Sequence, residues 1–90
     1  MKTVFPLLGE YLGTFLLTLT LLSSTNPVFI AAIYAVILFL LIPISGSLLN
    51  PALSIVQYFN GKLGYRETII YIVVQIIASV SSYYTFVALA

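Results

Sequence analysis

The stretch Ser45-Gly46-Ser47-Leu48-Leu49-Asn50-Pro51-Ala52 breaks an apolar chain with a small-residue turn, an amide side chain and a proline. Ser45-Gly46 allows a tight backbone bend. Asn50 is a strong helix N-cap, because its side-chain oxygen accepts from backbone N–H groups that the first helical turn leaves free. Pro51 fits the first helical position, where its missing N–H would be unbonded anyway. The residues from Ala52 to Phe59 then read as a short helix, roughly half as long as the ~30 Å hydrocarbon core is thick. A bend, a cap and a half-length helix between long apolar segments read as a re-entrant loop, which dips into a membrane and returns to the face it left. Irregular backbone survives at membrane depth only where protein buries it or where it lines a wet cavity.

Outward from that loop the composition is that of a membrane protein. The chain has 90 residues, 62% hydrophobic and 6% charged. Soluble chains carry about 25% charged residues, and a soluble domain this small has nowhere to hide so much apolar surface. The charged residues are Lys2, Glu10, Lys62, Arg66 and Glu67, too few for a nucleic-acid footprint. Cysteine and histidine are absent, which excludes disulfides, thiol catalysis and cysteine-based metal sites. The segment after Lys2 makes a poor signal peptide. Glu10 interrupts its apolar run and no small-residue cleavage site follows, so it reads as a retained span.

The expected architecture is a single all-α membrane domain over residues 1–90, with three transmembrane helices and one re-entrant half-helix. The spans fall at about residues 5–24, 28–44 and 65–90, and the re-entrant element at about 45–59. Ser23 to Pro27 is a polar turn, Pro43 ends the second span, and Asn60 to Gly64 is a polar turn with helix-stopping glycine. If the loop returns to the face it left, Lys2, Lys62 and Arg66 share one side. The positive-inside rule then puts the N-terminus in the cytoplasm and the C-terminus outside.

An ionisable Glu10 inside a span is costly, so it should face the bundle interior and meet a partner. It either braces the loop by accepting from its backbone N–H groups or serves as a proton or ion site. Gly9 and Gly13 form a G-x-x-x-G pattern with Thr14 beside it, which suits close helix approach within the chain or between chains. Tyr71, Gln75, Ala78, Ser79 and Ser82 share one helical face, as interhelical packing or as a wet wall, and Gln75 is placed to anchor the loop. Asn50 either caps its own helix alone or also offers its N–H₂ to a permeating oxygen atom. The positive end of the short helix, about +0.5 of an elementary charge, repels cations at mid-pore.

These residues fall in a known order. Glu10-Tyr11-Leu12-Gly13-Thr14, the run from Pro43-Ile44-Ser45-Gly46 to Asn50-Pro51-Ala52, and Tyr71 with Gln75 resemble successive motifs of the aquaporin and glycerol-facilitator family, in its N-terminal half. The resemblance runs from Glu10 to about Ser82. It implies a passive channel for water or small neutral solutes such as glycerol, with no cofactor, no metal and no catalytic cycle. Asn50 would donate at the central constriction, Pro51 and Ala52 would lock two half-helices tip to tip, and Glu10, Ser45, Gly46, Tyr71 and Gln75 would support the loop. The chain departs from the family in having one repeat where six spans and two loops are usual. Leu53 follows Ala52 where the second half has arginine, Leu48 replaces a usual histidine, and aliphatic Ile30 stands where water-selective members carry an aromatic.

One repeat cannot enclose a pore, so the expected partner within the bilayer is a second half-unit. It is either an inverted copy of this chain or a complementary half, with the family's tetramer of pores as a further assembly. The three-to-none basic bias speaks against insertion both ways. The alternative is a non-conducting membrane interaction protein, a relic or regulatory half that docks through the Gly9/Gly13 face. An enzyme is not expected, because no nucleophile–base pair or metal-ligand cluster is present.

Overall fold

The computed structural model describes residues 4–90. Lys2, part of the orientation argument, lies outside the described residues. The described residues form four helices, α1 (Val4–Ser23), α2 (Pro27–Ser45), α3 (Pro51–Phe59) and α4 (Tyr65–Leu89), with no strand. Helices α1, α2 and α4 are each long and apolar enough to cross a membrane, while α3 has nine residues.

Burial is inverted relative to a soluble domain. The largest fully buried side chains are Gln75, Glu10, Thr14, Ser54 and Ser82, whereas Phe39 and Phe59 are 82% and 79% exposed. In water this arrangement would forfeit most of the hydrophobic driving force. In hydrocarbon it is the economical one, because among the described residues every buried polar side-chain atom except Ser47 Oγ has a partner, and the exposed apolar surface suits lipid tails.

Helix α1 is the hub, packed against both α2 and α4, and α3 packs on α4. Helices α1 and α4 run in the same direction, because Glu10 meets Gln75 and, further along both, Thr18 meets Ser82. Helix α2 runs the opposite way: Gly9 faces Leu41, Ile44 and Ser45, and Gly13 faces Ile37 and Leu41. The link from α2 to α4 therefore starts and finishes at the same end of the bundle.

The G-x-x-x-G face is used inside the chain. A Cβ on Gly13 would stand 2.6 Å from both Leu41 Cδ1 and Leu49 Cδ2, and one on Gly9 would stand 3.3 Å from Ile44 Cγ2. Within the chain, α2 and the loop occupy this face.

Two helix boundaries also differ from expectation. Pro43 does not end α2; the helix continues to Ser45. The proline removes one backbone donor, from the bond that would reach the carbonyl of Phe39, and the ladder resumes beyond it. The stop is Gly46, left-handed at φ +86, whose N–H donates to the Ile42 carbonyl at 3.0 Å. At the other end α2 starts at Pro27, not after it. Asn26 Oδ1 accepts from Val28 N at 2.9 Å and Phe29 N at 3.1 Å. The chain thus opens two helices with the same Asn-Pro device, once at a helix turn and once at Asn50-Pro51.

Candidate functional site

The loop from Gly46 to Asn50 is held in a conformation that its residues do not favour. Gly46 adopts left-handed backbone without penalty, but Ser47 at φ +51 and Leu49 at φ +58 do so against their Cβ atoms. Each such residue costs about 1–3 kcal/mol, so the loop must be over-determined by its surroundings.

Glu10 does this. Its Oε2 accepts from Ser45 Oγ at 2.6 Å and from Leu48 N at 3.0 Å; its Oε1 accepts from Leu49 N at 2.8 Å and from Gln75 Nε2 at 2.9 Å. Four donors from three parts of the chain thus converge on one fully buried carboxylate. Charge-assisted bonds of this kind contribute about 1.5–3 kcal/mol each, enough to offset the backbone strain. Around this centre, Tyr71 Oη donates to the Ser45 carbonyl at 3.1 Å, Ser45 Oγ accepts from Ser47 N at 3.2 Å, and Thr14 Oγ1 donates to the Leu49 carbonyl at 3.3 Å.

Gln75 carries the network across to α3. Its Nε2 donates to Ser54 Oγ at 2.8 Å, and Ser54 Oγ lies 3.2 Å from the Asn50 carbonyl. Glu10, Ser45, Gln75 and Ser54 therefore tie α1, the end of α2, α4 and α3 into one polar core. Ser54, and Thr18 as the partner of Ser82 at 2.6 Å, are additions to the residues singled out from the sequence. The only signal for Ser54 is its place as the sole hydroxyl-bearing Ser or Thr of α3, four residues after Asn50. Thr14, expected in helix packing, is buried and also holds the loop carbonyl. Ser79, read on the same face as Gln75, donates back to the Gln75 carbonyl at 2.8 Å and is only half-buried.

The network presents Asn50. Its Oδ1 accepts from Ala52 N at 2.8 Å, closing the N-terminus of α3. Its Nδ2 donates to no group among the described residues, and the side chain is exposed. Leu49 and Asn50 sit at the level of Thr14, ten residues past Val4 in a helix of 20 residues. That is about 15 Å along a rod of about 30 Å. Asn50 is thus placed near half the length of the long helices, with an uncommitted amide donor at the positive end of α3.

Below it, the carbonyls of Gly46, Ser47 and Leu48 accept no hydrogen bond among the described residues. A cavity of about 240 Å³ opens at this end of the bundle, lined by Ser45, Gly46, Leu48, Gln57, Lys62 and Leu63. Its two walls are the end of α2 with the loop and the end of α3 with the following turn, which do not pack on each other. Ser47 Oγ is buried without a hydrogen-bond partner.

Chemically, the exposed Asn50 Nδ2 and the unpaired carbonyls of Gly46, Ser47 and Leu48 are groups that can exchange hydrogen bonds with a small neutral molecule. Among the described residues no group of three or more histidine, cysteine or acidic side chains is placed to hold a metal ion. Comparison with protein-family models, with curated proteins and with solved structures finds no match to this chain.

Proposed function

We propose that this chain is a half-unit of an aquaporin-like channel, conducting water or small neutral solutes such as glycerol through a pore completed by a second half-unit. The observation that carries the reading is Asn50. Its amide caps α3 with the oxygen and leaves the N–H₂ free at mid-depth, on a loop strapped by Glu10. A residue needed only as a cap has no use for a conformationally costly loop and a four-donor carboxylate beneath it.

In this reading α3 is a re-entrant half-helix. Support comes from the parallel course of α1 and α4, which returns the intervening segment to its own side, and from nine residues being too few to cross. The N-terminus lies in the cytoplasm and the C-terminus outside, following Lys62 and Arg66 near the start of α4 together with Lys2. The free carbonyls accept from a passing solute while Asn50 Nδ2 donates to its oxygen. The positive end of α3 turns cations back. The second half-unit supplies the opposing half-helix from the other face, and further association into a tetramer of pores follows the family resemblance. The choice between water and glycerol belongs to the side chains that the second half brings.

The test is stopped-flow light scattering on proteoliposomes holding the full chain, with water and glycerol gradients run separately. Permeability above that of empty liposomes, changed by Asn50→Asp at equal incorporation, is the expected result. Wild-type permeability equal to empty liposomes overturns assembly from copies of this chain. Unaltered permeability in Asn50→Asp overturns the role given to the amide.

A further inference from the structure

The turn between α3 and α4 has a composition that neither the loop nor the cavity explains. Tyr58 packs against Phe59 with ring centroids 5.7 Å apart and edge-on against Tyr65 at 6.3 Å. The Tyr58–Tyr65 contact joins the end of α3 to the start of α4. The backbone between them is closed tightly: Lys62 N donates to the Gln57 carbonyl at 2.9 Å and Gly61 N to the Tyr58 carbonyl at 3.1 Å, with Gly61 left-handed at φ +76. All three rings are exposed.

On this closed turn stand both basic residues of the described chain, Lys62 and Arg66, each exposed. The protein has two acidic residues, and only Glu67 stands near them. Glu10 is buried under its four donors, and Glu67 Oε1 accepts from Gly64 N at 3.2 Å at the start of α4. With Glu67 beside them, Lys62 and Arg66 leave the turn one net positive charge next to three exposed rings, at the end of a bundle whose long helices suit a bilayer, where a membrane would place them at headgroup depth. Aromatic rings prefer that depth because one end of each is apolar and, for tyrosine, the other is wet. Lysine and arginine there meet lipid phosphates, and each cation near an anionic surface adds a favourable term that neutral headgroups do not offer.

We propose that the Tyr58–Arg66 turn is a binding site for anionic phospholipid headgroups, with Lys62 and Arg66 holding the lipid phosphate and Tyr58, Phe59 and Tyr65 seating the glycerol and upper acyl region. Charge complementarity selects anionic over zwitterionic lipid. The ring cluster holds the turn at a fixed depth, so that the two cations act on one headgroup region together. The site requires only that the turn meets the bilayer surface, and holds whether or not the chain conducts.

The experiment is native mass spectrometry of the full chain released from mixed micelles containing equal phosphatidylglycerol and phosphatidylcholine, comparing wild type with the Lys62→Gln/Arg66→Gln pair. Wild type is expected to retain phosphatidylglycerol in preference to phosphatidylcholine. The double variant is expected to lose that preference by up to about thirtyfold, from two cation terms. Equal retention of the two lipids by wild type overturns the proposal, as does an unchanged preference in the double variant. A Tyr58→Ala/Tyr65→Ala pair, which keeps both charges, separates the ring contribution: adducts bound as tightly as in wild type overturn the seating role of the rings. Both substituted positions are exposed and outside the Glu10 network, so the bundle is retained, and circular dichroism checks it.

Discussion

Replacing Glu10 by glutamine tests the loop's support with almost no change of shape. The carboxylate has two oxygens, and each accepts from a backbone N–H that cannot turn away: Leu48 N on Oε2 and Leu49 N on Oε1. A glutamine presents one oxygen and one N–H₂, so either flip of the amide sets donor against donor. If the N–H₂ replaces Oε2, Ser45 can rotate its hydroxyl to accept, but Leu48 N is orphaned. If it replaces Oε1, Leu49 N is orphaned and Gln75 must also turn, so that Ser54 Oγ donates to it where it otherwise accepts. One buried unsatisfied N–H costs about 1–3 kcal/mol, and the remaining bonds lose their charge assistance. A loss of about 2–4 kcal/mol is expected. Reversible unfolding of Glu10→Gln in detergent micelles with increasing denaturing surfactant reads the total. Hydrogen exchange at Leu48 and Leu49 reads the local part, with protection falling by about thirtyfold to a thousandfold. Stability within about 0.5 kcal/mol of wild type, with both amides still protected, would refute the claim that this carboxylate holds the loop.

Two further variants probe the same region by different physics. Gly13→Ala should be less stable than Gly9→Ala by about 1–3 kcal/mol, because both gain equal helix propensity but the Gly13 Cβ meets two leucine methyls at 2.6 Å; thermal unfolding of the two side by side checks the order. Ser47→Gly should raise stability by about 1–3 kcal/mol, since it removes left-handed strain at φ +51 and a buried hydroxyl with no partner. A destabilised Ser47→Gly in the same assay would mean that the hydroxyl has a partner, such as bound water.

How much of this was legible in the residues varies with the kind of force involved. The three long helices follow from runs of apolar residues, and their bounds in the structure lie within a residue of those read from sequence. Asn50-Pro51 announces a helix start through capping chemistry that acts within three residues. Asn26-Pro27 carries the same chemistry but reads as a turn in the sequence, because a helix start and a turn look alike when the flanking polarity is high. Pro43 stops nothing, since a proline removes one hydrogen bond and an apolar helix in hydrocarbon keeps its remaining bonds. The left-handed Ser47 and Leu49 were illegible, since neither residue favours that backbone and only the pull of Glu10, 35 or more residues away, puts them there. The partnership of Ser54 with Gln75 is likewise a product of tertiary placement that no local pattern encodes.

The distance in sequence between Glu10 and its donors has a consequence for how the protein is made. Glu10 leaves the ribosome 65 residues ahead of Gln75 and 35 or more ahead of Ser45, Leu48 and Leu49. At about 5–20 residues per second, the first helix waits about 3–13 s before the last of its partners has been synthesised. During that interval a carboxyl group sits in a span with nothing to bond to, the circumstance in which a lone helix enters lipid reluctantly. The first helix is therefore best kept beside the insertion machinery, or at the water interface, until the rest of the chain arrives. A polar core assembled from both ends of the sequence makes the order of synthesis part of the folding problem.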